Sequence, residues 1–158
     1  MADPDISIRE FAPSDRDGVI ALIVALQRFE MQFAPDHATP DGDFGAWYFE
    51  QVFESVREHD GALLVAVQDG TLCGMIAGYD VEDPEARSRH FYIAELSVSE
   101  AMRGSGIGSR LIAAIEDIAR TRGHHTTVIG VLVKNIRAHA LYDRLGYRDH
   151  AVRLRKKL

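Results

Sequence analysis

Residues 103–108 read Arg-Gly-Ser-Gly-Ile-Gly, a composition suited to binding an anion. An apolar run at 91–98 precedes them, and apolar residues at helical spacing follow. At such a strand-to-helix junction the first N–H groups of the helix lack intrahelical partners, and the helix dipole adds partial positive charge. Glycines let an anion approach these groups, and Arg103 adds a full charge. The sequence therefore predicts a phosphate-binding turn, with a purely structural tight turn as the alternative.

Three phosphate-binding patterns can be compared with this turn. The P-loop ends in Gly-Lys-Ser/Thr, and the chain contains no Gly-Lys pair. The dinucleotide fingerprint requires a glycine where Ser109 stands, and an acidic residue after the next strand, where residues 133–135 are Val-Lys-Asn. The third pattern, Arg/Gln-x-x-Gly-x-Gly/Ala, is matched in full by residues 103–108.

A second signature lies downstream of the glycine-rich turn. Residues 135–147 match Asn-x-x-Ala-x-x-Leu-Tyr-x-x-x-Gly-Phe/Tyr at every specified position. The two segments, separated by a predicted helix and strand, resemble the pyrophosphate loop and the following segment of the GCN5-related N-acetyltransferase (GNAT) family, which binds acetyl-CoA. The resemblance covers roughly residues 6–155, and its specific part is 91–147.

The elements that must position these motifs follow from hydrophobic periodicity. Strands are predicted at 6–11, 62–67, 72–79, 91–98, 126–133 and 147–156, and helices from Pro13 to about Phe33 and at 44–58, 107–122 and 136–145. The order is β-α-α-β-β-β-α-β-α-β in one domain, 1–158, of mixed α/β class. Strands 91–98 and 126–133 flank a crossover helix and therefore run parallel. The resemblance implies a central mixed, splayed β-sheet flanked by helices, with the pantetheine arm of acetyl-CoA between these two strands.

The resemblance also assigns roles to individual residues. Backbone groups of Leu96, Ser97 and Val98 hold the pantetheine arm, and the Val98 N–H stabilises the oxyanion. The residues that bind the pyrophosphate are Arg103, Gly104, Ser105, Gly106, Ile107, Gly108 and Ser109. Asn135 anchors the pantetheine region, and Tyr142, which also contacts the cofactor, donates a proton to the leaving thiolate. For Tyr142 the alternative is a core aromatic packed among leucines.

Acetyl transfer to an amine also requires a base, because an amine with a pKa of about 10.4 is protonated at neutral pH. Glu95 lies in an otherwise apolar strand, where a carboxylate is costly unless it is paired or functional. Strict alternation places Glu95 on the face of Phe91 and Ile93, opposite His90 and Tyr92. A bulge in this strand would reverse that parity. Glu95 is therefore the first candidate base, with Tyr92, His90 or a water chain as alternatives. A carboxylate that only faces a helix-side arginine or solvent is the non-catalytic alternative for Glu95.

The acceptor is indicated only by charge. Residues 30–54 contain no lysine or arginine, and their acidic residues are Glu30, Asp36, Asp41, Asp43, Glu50 and Glu54. Such a rim favours a small cationic amine or a lysine side chain, with an ordinary solvated helix face as the alternative interpretation of these carboxylates. Arg87 and Arg89 would instead suit an acceptor that bears a carboxylate. A catalytically silent acyl-CoA sensor or interaction module is the alternative to an acetyltransferase.

Composition limits the remaining function classes. The 158 residues carry a net charge of −6, which argues against non-specific nucleic-acid binding. The single cysteine, Cys73, favours a reducing cytoplasm, and no apolar run approaches the roughly 20 residues of a membrane span. No C-x-x-C or H-x-x-x-H spacing occurs, so no metal site is expected. A homodimer is expected, because the last predicted strand would end an open sheet.

Overall fold

The computed structural model describes residues 5–35, 37 and 39–158. Along these residues it contains five strands and four α-helices. The strands are β1 (Ile6–Glu10), β2 (Ala62–Gln68), β3 (Thr71–Asp83), β4 (Ser88–Val98) and β5 (Thr127–Ile129). The helices are α1 (Arg16–Glu30), α2 (Gly42–Glu58), α3 (Ile107–Thr121) and α4 (Ile136–Arg144). Short 3-10 turns precede α1 and follow β4.

The sheet has the spatial order β1-β2-β3-β4-β5. The first three pairings are antiparallel, and β4 runs parallel to β5, as the crossover predicted. Asp69 and Gly70 form the β2–β3 turn with φ values of 50° and 76°. Two positive φ angles are the geometry of the tight hairpin turn that this dipeptide predicts. The mixed, open sheet flanked by helices confirms the expected fold class.

Two apolar clusters hold the helices on opposite faces of the sheet. On one face α1 and α2 pack through Val19, Ile23, Phe49 and Val52 onto Val65 and Met75. On the other face α3 packs through Leu111, Ile112 and Ile115 onto Ile76, Phe91 and Ile93. The apolar residues of β2, β3 and β4 are therefore divided between the two layers, which fixes the central strands rigidly between them.

The C-terminal strand predicted at 147–156 is wrong. Residues 147–158 contain no helix or strand, and those from 148 onward are exposed. The element order among the described residues therefore ends at α4. Alternation of apolar and charged residues is a local pattern, whereas a strand also needs a neighbouring strand to take its hydrogen bonds. β5 is itself only three residues long, shorter than the predicted 126–133.

Candidate active site

A β-bulge in β4 determines how the site is built. Ala77 of β3 pairs with Glu95, and the next residue, Gly78, pairs with Ile93. Ala94 is therefore an extra residue on β4, opposite no single partner. A bulge of this kind reverses the direction in which the later side chains of a strand point.

The bulge turns Glu95 toward α1 and α2. Phe91 and Ile93 are buried in the cluster beneath α3. Glu95 instead lines a cavity of about 230 Å³ together with Tyr92 and Tyr48 of α2. The placement of Glu95 by strict alternation is therefore wrong, and the reversal of parity expected from a bulge is what occurs. The bulge puts the candidate base and its alternative Tyr92 on one face.

The parallel strands separate soon after they pair. β4 pairs with β5 only from Phe91 to Ile93, opposite Thr127–Ile129. β4 then continues to Val98 beside β3, whereas β5 has ended. This is the splay that the family resemblance implies. The outer edge of β4 between residues 94 and 98 is thus left without a neighbouring strand.

Two backbone N–H groups of β4 point into this gap. The Ser99 N–H donates to the Cys73 carbonyl at the end of β3, at 2.9 Å. Because successive N–H groups of a strand alternate in direction, those of Val98 and Leu96 point away from β3. The geometry therefore suits the roles predicted for Leu96 and Val98.

Side chains around the gap anchor β4 to α1. The Ser97 hydroxyl donates to the Leu22 carbonyl at 2.9 Å and is buried. The Arg103 Nε–H donates to the Val98 carbonyl at 3.3 Å, and its guanidinium lies 4.6 Å from the centre of the Phe29 ring. The Ser97 side chain is therefore structural, and by the same alternation its backbone N–H points toward β3 rather than into the gap. Arg103 both closes the turn and keeps a cation beside it.

The glycine-rich turn has the backbone geometry of an anion cradle. Gly104 and Gly106 have φ values of 86° and 84°, in the left-handed region that favours glycine. The Arg110 N–H donates to the Gly106 carbonyl at 3.1 Å, the first bond of α3. The N–H groups of residues 107–109 precede it and have no intrahelical acceptor. They form, with the helix dipole, the positive end predicted to bind a pyrophosphate.

A second arginine lies at the cradle. Arg137 stands on the first turn of α4, and a methyl group placed on Gly104 would lie 3.7 Å from its Nη2. A methyl group on Gly108 would lie 3.5 Å from Leu141 Cδ2, an ordinary packing distance. The close approach of α3 and α4 therefore brings Arg137 beside the turn, which the sequence analysis did not propose.

The second signature places Asn135 and Tyr142 on α4. Asn135 is 7% exposed and caps this helix, since its Oδ1 accepts from the Ala138 N–H at 3.2 Å. Burial, followed by the negative charges of Glu30 and Glu95, raises the pKa of Tyr142 to about 12. The influence of both carboxylates places Tyr142 in their neighbourhood, and its phenol remains a proton donor at neutral pH.

Glu95 is buried but not isolated. The carboxyl is 6% exposed, and its Oε1 accepts a hydrogen bond from the Tyr48 hydroxyl. The pKa of Glu95 is raised from its ordinary 4.5 to about 7, chiefly by burial, with the bond from Tyr48 acting against the rise and the charge of Glu30 contributing to it. Burial, followed by the Glu95 charge, lifts the pKa of Tyr48 above its usual range. Glu95 is thus poised to exchange a proton near neutral pH.

Three tyrosines line this cavity together with Gln51, Val52 and Ser55 of α2 and Ala94 of β4. Tyr79 and Tyr92 line it beside Tyr48, and no lysine or arginine of the described residues does. Burial raises the pKa of Tyr92 as well. His90, the other alternative base, does not line the cavity. A small polar molecule with a positive group fits a wall that combines one carboxyl with three phenols.

The acidic rim predicted for residues 30–54 is reduced in the structure. Asp41 caps the N-terminus of α2, and Glu50 pairs with Arg16 at 2.7 Å. Asp36 lies outside the described residues. Glu30 is the rim carboxylate whose charge acts on the site, and burial raises its own pKa. Glu95 lines the cavity and the charge of Glu30 acts on it, whereas Asp43 and Glu54 of the predicted rim are exposed on α2.

The two arginines considered for an anionic acceptor do not line this cavity. Arg89 forms an ion pair with the buried Asp80. It lines a separate cavity with Arg122 and His124, just beyond the C-terminus of α3 and so at the opposite end of that helix from the glycine-rich turn. Arg87 is exposed in the β3–β4 turn.

Tyr48 and Arg137 are the residues that the sequence analysis missed. Tyr48 is separated from Glu95 by 47 positions, and nothing in its local sequence distinguishes it from a packing residue. Arg137 had a signal, since it is a cation two residues after Asn135 within the second signature. Among the described residues no cluster of His, Cys, Asp or Glu is arranged to hold a metal ion, and none of the helices could cross a membrane.

Comparison with known proteins agrees with the resemblance. The model of the family described as Acetyltransferase (GNAT) family matches residues 23–147. An aminoalkylphosphonate N-acetyltransferase of Salmonella typhimurium is 30% identical over 155 residues, which is 98% of this chain and 93% of the relative. A probable N-acetyltransferase family 8 member 5 of Mus musculus is 31% identical over 87 residues, or 55% of this chain and 38% of that protein.

Solved structures share the fold. A mutant protein from Bacillus halodurans superposes with a TM-score of 0.83 at 23% sequence identity, covering 96% of this chain and 99% of that one. At this identity the likeness supports the fold alone. The family match and the Salmonella relative carry the assignment to a family.

Proposed function

Because the chain belongs to the GNAT family of N-acetyltransferases, we propose that it moves an acetyl group from acetyl-CoA to a primary amine. The observation that carries the proposal is the bulge in β4. It directs the Val98 N–H into the gap beside β5 while it turns Glu95 into the cavity under α2. A donor for the thioester and a base for the amine thus lie three residues apart on one strand.

The acetyl-CoA side of the site fits an anionic, extended cosubstrate. Residues 103–109 offer backbone N–H groups and the Arg103 guanidinium to the pyrophosphate, and Arg137 supports them from α4. The N–H groups of Leu96 and Val98 hold the pantetheine and thioester region. Asn135 completes this wall by fixing the start of α4.

Proton transfer is divided between Glu95 and Tyr142. With a pKa of about 7, Glu95 is ionised in a substantial fraction of molecules at neutral pH and can take a proton from the amine. With a pKa raised to about 12, Tyr142 keeps its proton until the thiolate leaves and then donates it. Burial raises both pKa values, and the roles differ because that of Glu95 lies near neutral pH whereas that of Tyr142 lies far above it.

The acceptor we favour is a small cationic amine or a lysine side chain. The cavity presents the Glu95 carboxyl and tyrosine rings, with Glu30 nearby. Carboxylates in a partly desolvated cleft concentrate cations and orient the amine. The KM for the amine should therefore rise as salt is added, because salt screens this attraction and the Debye length is only about 8 Å at physiological ionic strength.

An amine that also carries an anionic group is the second candidate. The Salmonella relative, named for aminoalkylphosphonates, favours it. The positive charge of Arg153 acts on Tyr92 and partly offsets the rise of its pKa, so a cation lies near this wall of the cavity. Arg153 would then bind the phosphonate or carboxylate while Glu95 receives the ammonium.

An acceptor screen decides between these classes. Thiol release from acetyl-CoA is measured with a diamine, a lysine peptide, a neutral monoamine, an amino acid and an aminoalkylphosphonate. Fastest turnover of the diamine or peptide supports the cationic acceptor. Fastest turnover of the aminoalkylphosphonate, with a KM that rises in Arg153→Gln, supports the second candidate. If no amine accelerates thiol release although acetyl-CoA binds, the silent acyl-CoA sensor replaces the enzyme.

We also propose a cytoplasmic location, on the basis of the single cysteine.

A further inference from the structure

Tyr48 and Glu95 form a pair that the acetyltransferase signatures do not include. The Tyr48 hydroxyl of α2 donates to Glu95 Oε1 on β4, across 47 positions of sequence. We propose that Tyr48 is a positioning residue, which holds the Glu95 carboxyl toward the acceptor cavity and stabilises its ionised form. This inference rests on the proposed function, because it assigns Tyr48 a part in the same reaction.

The packing of α2 fixes the direction of the Tyr48 hydroxyl. Its ring is stacked on Phe44 one turn earlier, with centroids 5.6 Å apart and planes inclined by 22°. α2 approaches α1 closely at Gly45, where a methyl group would lie 2.5 Å from Val24 Cγ2. A helix held at this distance, carrying a stacked ring, leaves the phenol few orientations. The hydroxyl is therefore delivered to Glu95 by the fold.

Among the groups around Glu95, Tyr48 is the one that stabilises the ionised carboxylate. From α1 the Glu30 charge disfavours ionisation of Glu95, and burial disfavours it more strongly, whereas the bond from Tyr48 lowers the pKa. Tyr92 of β4 and Tyr142 of α4 also face this region, and the Glu95 charge raises the pKa of each. A donor that stays protonated can favour the carboxylate throughout the neutral range.

A phenol that merely fills space would have a different signature. Removal of its oxygen would change stability but leave the ionisation of Glu95 unaltered. Removal of a positioning donor shifts the acid limb of the pH profile. A hydrogen bond to a charged group corresponds to a shift of about one pH unit.

The test compares the wild-type chain with Tyr48→Phe, which keeps the ring. Turnover of the best amine is measured from pH 5.5 to 9.5. We expect the acid limb of kcat/KM to move up by about one pH unit, so that activity falls about fivefold at pH 7 and recovers toward pH 9.5. The KM for acetyl-CoA should not change. Trp47→Phe, a neighbouring and exposed aromatic on the same helix, is the matched control and should leave the limb in place.

The outcomes separate this inference from the proposed function. The positioning role is overturned if the acid limb of kcat/KM is unchanged in Tyr48→Phe. If that limb disappears in Glu95→Gln at the same time, Glu95 remains the base. If the wild-type protein acetylates no amine, the proposed function fails. NMR titration of the Glu95 side-chain carboxyl then tests whether Tyr48 stabilises its ionised form. An upward shift of that titration in folded Tyr48→Phe supports the inference, and an unchanged titration overturns it.

Discussion

Replacement of Glu95 by glutamine should stabilise the protein at alkaline pH while it removes activity. The folded-state pKa of about 7 lies above the ordinary 4.5, so between these values the folded protein holds a proton that the unfolded chain has released. Stability conferred by the neutral carboxyl is therefore present below pH 4.5 and is lost as pH rises through 7. The loss amounts to about 1.4 kcal/mol per pH unit, or about 3 kcal/mol over this range.

Glu95→Gln removes this titration but keeps an oxygen that can accept from Tyr48. The difference in unfolding free energy between variant and wild type should therefore grow by about 3 kcal/mol, in favour of the variant, from pH 4.5 to pH 8. Urea unfolding at intervals of one pH unit measures it. Glu50→Gln is the matched control, since Glu50 is an exposed glutamate on α2 paired with Arg16, and surface pairs contribute about 0–1 kcal/mol.

Activity supplies the second half of this experiment. Loss of a general base should lower kcat by about a hundredfold or more. A stability difference that is equal at pH 4.5 and pH 8 would refute the raised pKa. Wild-type turnover in Glu95→Gln would refute the catalytic role, and a water chain or Tyr92 would become the proton acceptor. Higher stability together with lost activity is the result expected of a buried functional carboxyl.

Three further predictions concern the cofactor site and assembly. Gly108→Glu should abolish acetyl-CoA binding in calorimetry, because it places a negative charge in the cradle. The control Gly108→Ala should still bind, since its methyl group would meet Leu141 at an ordinary distance. Unchanged affinity in a folded Gly108→Glu protein excludes this pyrophosphate site. Tyr142→Phe should lower kcat at least about tenfold with acetyl-CoA affinity nearly unchanged, and equal activity would exclude Tyr142 as the acid. A homodimer should appear in light scattering at micromolar concentration, since Val152 and Leu154 are exposed and the sheet ends at the open edge of β5; the mass of a single chain would reject it.

Much of the fold was predictable because its signals are local. The glycines of residues 103–108, the Asp69-Gly70 turn and the apolar spacing of α3 depend on neighbours within a few positions. The parallel pairing of β4 with β5 followed from the crossover helix between them. The prediction of a C-terminal strand was wrong because strand formation depends on a distant partner. Alternation in residues 147–156 does not show whether a neighbouring strand is available to pair with them.

The sequence by itself determined the family, the cradle and the identity of the buried carboxyl. The tertiary structure alone decided what that carboxyl can do. The extra residue in β4 is recognisable only against its pairing with β3, and it turns Glu95 from the α3 side to the α2 side. Tyr48 then meets Glu95 because α2 lies on the face of the sheet to which the bulge turns this carboxyl, a contact between distant segments that no local pattern encodes. Chemical type is a property of the residue, whereas direction, burial and partner, which set its pKa, arise only when the strands and helices pack together.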